Sequence, residues 1–296
     1  NIKFAESTQR NDPLYSKSRV GSLIFENELI NHVICANVAL DSAERALKVP
    51  LHLRFNLPLS RPFFTETLTV INRREETRGD SDKLKTVHTS ITSYKGIDEG
   101  EKALIYGDYV YYHYGQDGYN DKGWGCAYRS LQTLVSWFIE QKYAKSGVKV
   151  PSIEEIQKIL VEMGDKEPKF INSKDWIGAF EVNLVLNKLL DIDCKIIHVP
   201  NGTDVPSHAR ELQEHFKTEG TPVMIGGGVL AYTLLGVDFN DETGECNFLI
   251  LDPHYGGAEN PKTIVDKGWC QWKGPKIFLE NTFYNFCLPL RPKFIQ

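Results

Sequence analysis

Residues 117–138 read DGYNDKGWGCAYRSLQTLVSWF, a glycine-bearing approach that runs into a helical pattern. Leu131, Leu134 and Phe138 recur at helical spacing, which predicts an amphipathic helix that begins at Cys126. The glycines allow a sharp turn before that helix, and the positive end of the helix dipole favours a thiolate over a thiol. The stretch therefore predicts a reactive cysteine at a helix N-terminus. The alternative is a small buried side chain that opens a core helix.

A second stretch, FLILDPHYGG at 248–257, is an apolar strand that ends in an acid, a proline and a histidine. Asp252 and His254 are two residues apart, so an extended backbone would place both side chains on one side. Pro253 favours that geometry because it fixes its own φ and restricts the residue before it. The pattern predicts a histidine oriented by a carboxylate, the partner that a cysteine nucleophile needs. Taken alone, the stretch is better explained as a turn in which Asp252 caps local amides and His254 lies at the surface.

Two further segments complete the set of motifs, WIG at 176–178 and GWCQWKGP at 268–275. Together with GWGCAYRSLQ at 123–132 and DPHY at 252–255, they resemble the ubiquitin-fold modifier-specific proteases, in their longer type 2 form. The resemblance covers about residue 105 to the C-terminus. It implies an α+β, papain-like cysteine protease that cleaves after the C-terminal glycine of the ubiquitin-like modifier UFM. Such an enzyme matures the modifier precursor and removes the modifier from target lysines.

The resemblance also implies a set of catalytic residues. It makes Cys126 the nucleophile, His254 the general base and acid, and Asp252 the group that orients His254. The family places a tyrosine hydroxyl in the oxyanion hole twelve residues before the cysteine, and Tyr114 occupies that position.

The residues around Tyr114 do not select it on their own. The run 109–114 predicts an aromatic strand, on which Tyr112 would be an equal candidate. His113 would point the opposite way and is predicted to be structural.

Two alternatives stay open at this point. The autophagin proteases have a similar order of catalytic residues along the chain, Cys, Asp and His, and also use an Asp-Pro-His segment. The segment at 268–275 favours the UFM enzymes over them. The chain could also be a non-catalytic module that binds the modifier. The distance between Cys126 and His254 discriminates the module from the enzyme.

Composition narrows the class of protein further. A chain of 296 residues with 41% hydrophobic and 25% charged residues is long enough for two globular domains. The net charge of −5 gives no basic signature for nucleic acid. No segment reaches the roughly twenty apolar residues of a transmembrane helix. Because Asn1 is not an initiator methionine, a segment upstream of this sequence stays open.

The six cysteines form no C-x-x-C pair and match no zinc-site spacing. We therefore expect neither a metal nor another cofactor. A thiol enzyme of this size needs no disulfides and fits a reducing compartment. This predicts a cytoplasmic location, with association at the surface of the endoplasmic reticulum as a further expectation.

The chain is predicted to divide near 95–104 into a strand-rich interaction domain, 1–100, and a catalytic domain, 105–296. The first domain is predicted to be an interaction module, because it offers no recognisable catalytic set, and its expected partner is either a lysine-bearing target or an organelle adaptor. The glycine triplet at 226–228 is predicted to belong to a narrow wall or lid of the cleft, 226–232.

Strands are predicted at 22–25, 32–38, 51–55, 64–72, 194–199, 222–225, 230–237, 246–251 and 283–288. Helices are predicted at 126–142, from 152, after 175 and at 207–217.

Overall fold

The computed structural model describes residues 19–25, 28–36, 83–141, 143–145 and 147–292. Its contacts divide the chain into one unit of Asn1–Glu76 with Lys293–Gln296, and a second unit of Thr77–Pro292. In the first unit, strands β1 (Arg19–Phe25) and β2 (Glu28–Ala36) pair antiparallel, close to two of the predicted strands. The strands predicted at 51–55 and 64–72 lie outside the described residues, and the strand-rich interaction domain stays a prediction.

The second unit is built on a seven-stranded sheet in which every pair of neighbours is antiparallel. The order is β4-β9-β5-β6-β7-β8, and β3 pairs with β6 beside that path. Residues of one strand alternate between the two faces, as the pleat requires. Leu249 and Leu251 enter one hydrophobic core, whereas Phe248 and Ile250 enter the other. The strands are β3 (Glu101–Leu104), β4 (Cys194–Val199), β5 (Val223–Gly227), β6 (Leu230–Phe239), β7 (Cys246–Leu251), β8 (Cys270–Lys273) and β9 (Tyr284–Pro289).

Among the described residues of this unit, five α-helices pack on the sheet or on one another, most of them on one face. They are α1 (Cys126–Glu140), α2 (Ile153–Glu162), α3 (Ala179–Leu190), α4 (Ala209–Thr218) and α5 (Pro261–Asp266). The buried side chains of α1, α2 and α3 share one core, and those of α4 belong to the core on the opposite face. The predicted α+β class is confirmed for this unit.

Helix α1 is the central helix of the larger core. Every residue from Cys126 to Phe138 is buried. Its polar residues are therefore paired: Ser130 Oγ lies 2.8 Å from Thr233 Oγ1 on β6. This contact fixes the helix that begins at Cys126 against the central strand of the sheet.

Residues 83–100 belong to the second unit, so the division lies earlier in the chain than the predicted boundary at 95–104. The reason is a set of contacts made by Tyr94. Its ring stacks on Trp272 at 4.6 Å, and its hydroxyl donates to the buried Asp238 at 2.7 Å. A segment that the sequence analysis grouped with the first domain thus packs on the sheet.

The aromatic strand predicted at 109–114 is wrong. Only one isolated bridge is present there, between Lys85 and Val110. Two of the backbone amides are satisfied by side chains of α1 instead: Val110 donates to Ser136 Oγ at 2.9 Å, and Tyr112 donates to Thr133 Oγ1 at 3.1 Å. Because helix hydroxyls take the place of a neighbouring strand, β-propensity misled the prediction.

Within the described part of the chain, no helix combines the length and the apolar character that crossing a bilayer requires.

Candidate active site

Cys126 is the first residue of α1 and is buried apart from 8% of its surface. The turn before it is organised by one carbonyl: Asp121 O accepts from the amides of Trp124 at 3.2 Å and Gly125 at 2.9 Å. A side chain at Gly125 would collide with Asp121, since a Cβ there would lie 2.6 Å from the Asp121 Cβ. The glycine is therefore needed for close approach, and the turn places the sulfur at the positive end of the helix.

His254 and Asp252 lie in a tight turn just after β7. Asp252 Oδ1 accepts from the His254 backbone amide at 3.0 Å and from His254 Nδ1 at 2.6 Å. An aspartate that accepts from the amide two residues on forms an Asx turn. The predicted extended backbone is therefore wrong, but the expected contact between carboxylate and imidazole is present. Since Nδ1–H points at Asp252, Nε2 is left to face Cys126.

Tyr114 joins the same group of side chains. Its ring packs edge-on against the His254 imidazole, with centroids 5.1 Å apart. Its backbone amide donates to Pro253 O at 2.9 Å, which ties the tyrosine to the turn that carries the histidine. The structure thus brings all four predicted site residues together.

The electrostatics of the pair Cys126 and His254 favour an ion pair. Burial raises the pKa of Cys126, but hydrogen bonds from His254, Tyr114 and the Ala231 amide, with the charge on His254, leave it below its ordinary value. Burial lowers the pKa of His254, but the hydrogen bonds and charges of Asp252 and Cys126 raise it to about 9. At neutral pH these directions favour thiolate and imidazolium, the reactive form of a cysteine nucleophile.

The Tyr114 hydroxyl stays protonated in this environment. Burial raises the pKa of Tyr114 well above its usual range, and the neighbouring Cys126 sulfur raises it further. A protonated phenol is a hydrogen-bond donor. It can therefore donate to an oxyanion that forms next to the sulfur.

A buried ion pair beneath the site was not predicted from the sequence. Arg129 Nε donates to Asp121 Oδ2 at 2.6 Å, and both side chains are at least 98% buried. The second oxygen, Asp121 Oδ1, accepts from the Gly115 amide at 2.8 Å. One carboxylate therefore connects α1 with the turn that follows Tyr114. An arginine on the apolar first turns of a helix was the available signal, because a buried arginine needs an acidic partner.

The turn between β5 and β6 forms another border of the site. The Ala231 amide is hydrogen-bonded to Cys126, and the Tyr232 ring lies 5.8 Å from the His254 ring. A Cβ at Gly227 would lie 2.3 Å from the carbonyl oxygen of Phe283, so this glycine permits close packing of β9. Its role in a cleft wall stays a prediction, since packing alone accounts for it.

The other cysteines differ from Cys126 in environment. Burial raises the pKa of Cys246 to about 11 and that of Cys270 to about 12. All five cysteines with described side chains are free. Among the described residues, no group of three or more His, Cys, Asp or Glu side chains is placed to bind a metal.

Comparison with known proteins gives the site a family context. Residues 100–287 match the model of peptidase family C78. A "Probable Ufm1-specific protease" of Oryza sativa subsp. japonica is 51% identical over 271 residues, which are 86% of this chain and 41% of that protein. "Ufm1-specific protease 2" of Danio rerio is 48% identical over 253 residues, 86% of this chain and 62% of that protein.

A solved structure is similar as well. The crystal structure of UfSP from C. elegans superposes with a TM-score of 0.68 at 44% sequence identity, covering 85% of this chain and 46% of that one. The chain spans about half the length of the curated relatives it matches. The family model covers more than half of the chain and includes every candidate site residue, so the chain belongs to peptidase family C78.

Proposed function

We propose that this chain is a thiol protease that cleaves after the C-terminal glycine of UFM, both in the modifier precursor and in conjugates with target lysines. The observation that carries the proposal is the contact of His254 Nδ1 with Asp252 Oδ1 at 2.6 Å, in a site where the neighbouring Cys126 helps to raise the pKa of His254. The relatives are named as Ufm1-specific proteases, which supports UFM as the modifier. They favour this substrate over that of the autophagin proteases.

In the proposed acylation, the Cys126 thiolate attacks the carbonyl carbon of the terminal glycine of the modifier. The oxygen becomes negatively charged and accepts a hydrogen bond from the Tyr114 hydroxyl. The His254 imidazolium donates its proton from Nε2 to the departing nitrogen. The products of this step are a thioester on Cys126 and a free amine.

In the proposed deacylation, His254 acts in the opposite direction. The neutral imidazole takes a proton from water, whose oxygen attacks the thioester carbon. Collapse of the second oxyanion releases the modifier with a free carboxylate and returns the sulfur as thiolate. Asp252 keeps the same orientation throughout, because it also accepts from the His254 backbone amide.

Exposed apolar side chains near the nucleophile supply a surface for the body of the modifier. Val229 is 63% exposed at the turn between β5 and β6, and Phe283 is 49% exposed just before β9. Val229 follows the end of β5 by two residues and Phe283 precedes β9, and these two strands pair at Gly227 and Tyr284. Ala231 in the same turn region reaches Cys126. A modifier that binds this apolar surface would therefore have its C-terminus directed towards the sulfur.

The test is cleavage of defined modifier fusions by the purified full chain. We expect UFM with a C-terminal extension to be cut after the terminal glycine, as read by the mass of the product. Ubiquitin and the modifier of the autophagin proteases, carrying the same extension, should stay intact. Uncut UFM, or equal cutting of all three, would refute the proposal. Intact UFM that nevertheless binds the chain would favour the non-catalytic module.

Tyr114→Phe should lower kcat by about a hundredfold with little change in KM, because the lost hydrogen bond strengthens only as charge develops on the oxygen. The ring keeps its contact with His254, so the melting temperature should change little. The measurement is kcat, KM and melting temperature on one preparation.

Tyr112→Phe is the matched control, since Tyr112 is equally buried and two residues away. It should retain the kcat of the wild type. A Tyr114→Phe protein with unaltered turnover, or with turnover lost only in step with unfolding, would remove Tyr114 from the site.

The location follows from the same chemistry. Free thiols at all five described cysteines suit a reducing compartment, and we propose a cytoplasmic location on that ground. Binding of an organelle adaptor at the endoplasmic reticulum concerns the N-terminal residues, most of which lie outside those described, and it stays a prediction.

A further inference from the structure

A cavity of 280 Å³ adjoins the candidate active site on the side of Tyr114. One wall is residues 113–117 and the other is residues 256–259, with Lys83 at the edge. We call it the 113/259 cavity. The first wall contains the proposed oxyanion donor, and the second begins two residues after His254.

The two walls are held together from within. Glu259 Oε1 accepts from Gln116 Nε2 at 2.6 Å and lies 2.9 Å from His113 Nε2. The other ring nitrogen of His113 lies 3.0 Å from the Tyr114 carbonyl oxygen. Because His113 is 98% buried and both of its ring nitrogens face oxygen atoms, it bridges the two loops. The cavity is thus a built feature of the fold.

The backbone of the first wall is held in an uncommon conformation. Asp117 has a φ of 58°, in the left-handed region, and is flanked by Gly118 with a φ of 70°. Lys83 forms an ion pair of 3.1 Å with Asp117 in this turn. Such backbone strain persists where the surroundings determine it, and it concentrates at functional sites.

The proposed chemistry indicates which side of the cleaved bond faces the cavity. During acylation the carbonyl oxygen points at Tyr114 and the departing nitrogen takes its proton from His254. The acyl part is assigned to the side of the turn between β5 and β6, where the exposed Val229 belongs to the surface proposed for the body of the modifier. The chain attached to the departing nitrogen therefore leaves past His254 and Tyr114, between the two loops that follow these residues.

We propose that the 113/259 cavity binds the leaving-group side of the substrate, that is, the peptide segment attached to the nitrogen of the cleaved bond. This inference rests on the proposed function. The segment is either the lysine stem and adjoining residues of a conjugated target or the first residues of the precursor extension. Both present an amide-linked chain that enters a polar cavity with carboxylates at Glu259 and Asp117 and an ammonium at Lys83.

Ala258 offers the substitution that tests this role. Its side chain is exposed and lines the cavity. Its carbonyl oxygen holds the loop by accepting from the Tyr255 hydroxyl at 2.6 Å and from the Asn260 amide at 2.8 Å, and neither contact uses the side chain. Ala258→Leu narrows the cavity while keeping those bonds, and Ala258→Ser is a control of nearly unchanged size.

Three substrates share the same acyl part, UFM, and differ in the group attached to the nitrogen of the cleaved bond. They therefore separate effects on the leaving group from effects on the acyl part. They are UFM aminomethylcoumarin, with a small aromatic amine; UFM linked to the lysine of a short peptide; and the UFM precursor. For Ala258→Leu we expect kcat/KM to fall about tenfold or more on at least one of the two peptide-bearing substrates and to stay within about twofold on the coumarin. Ala258→Ser should match the wild type on all three.

The pattern of losses identifies the occupant. A loss on the lysine-linked substrate alone assigns the cavity to conjugated targets, and a loss on the precursor alone assigns it to the extension. The inference would be overturned if the ratio of kcat/KM between Ala258→Leu and the wild type were the same for all three substrates, whether kcat/KM is unchanged or uniformly reduced. A wild-type chain that cleaves none of them would overturn the proposed function and this subsite with it.

Discussion

Cys126→Ser should abolish measurable cleavage of UFM substrates, with kcat/KM lowered about 10⁴-fold or more, because a serine hydroxyl beside His254 stays protonated at neutral pH. The change replaces one atom in a buried position at the start of α1. Binding of the modifier should therefore be retained, and the dissociation constant should stay close to that of the wild type. The measurements are steady-state kinetics with UFM aminomethylcoumarin and direct binding of mature UFM.

Cys246→Ser is the matched control for this substitution. Cys246 is also buried, at the start of β7, but burial raises its pKa to about 11, so its sulfur stays a thiol. The control should keep full activity with a small loss of thermal stability. A Cys126→Ser protein that cleaves at the wild-type rate would remove the nucleophile from the proposed mechanism.

Elements with strong local signals were predictable from the sequence. Helix α1 was expected from the spacing of its leucines, and it begins at Cys126 as predicted. Ser152 caps α2, with Glu155 completing a capping box. Strands β4 and β7 have the predicted limits. In each of these cases local propensity and tertiary packing favour the same structure.

Elements that depend on tertiary partners were missed. Strand β8 and helix α5 are short, and neither has an apolar pattern long enough to predict. The run 109–114 has strand-forming residues, but the amides of Val110 and Tyr112 find partners on α1. Sequence alone cannot indicate a backbone that pairs with helix hydroxyls, because those partners are distant in the chain.

The residues of the candidate site also fall into two groups, those with a local sequence signal and those whose role depends on tertiary contacts. Cys126 and His254 carry recognisable chemistry, and Asp252 lies at a spacing that suggested the correct contact. Tyr114 was named by resemblance, since its neighbours are also tyrosines. Asp121 was not named at all. Its role rests on contacts with Gly115 and α1 that exist only in the folded chain.

His254→Ala and Asp252→Asn should differ in how far they lower kcat/KM and in the chemical property of the site that each removes. Removal of the imidazole takes away both the base and the acid, so kcat/KM should fall about 10⁴-fold or more. Asp252→Asn should cost less, about a hundredfold, because the asparagine oxygen can still accept from the His254 amide and from Nδ1. What asparagine removes is the negative charge.

That charge predicts a displaced pH profile for Asp252→Asn. Asp252 helps to raise the pKa of His254 to about 9, so the imidazolium form is present below that pH and is lost as pH rises through it. Wild-type kcat/KM should therefore decline on the alkaline side near that value. In Asp252→Asn the pKa of His254 is lower, and the alkaline decline should begin at lower pH.

Glu211→Gln, which removes a carboxylate from a remote pair with His208, should leave the profile unchanged. An alkaline limb at the same pH in wild type and Asp252→Asn would contradict the assignment of His254 as the imidazolium that Asp252 stabilises.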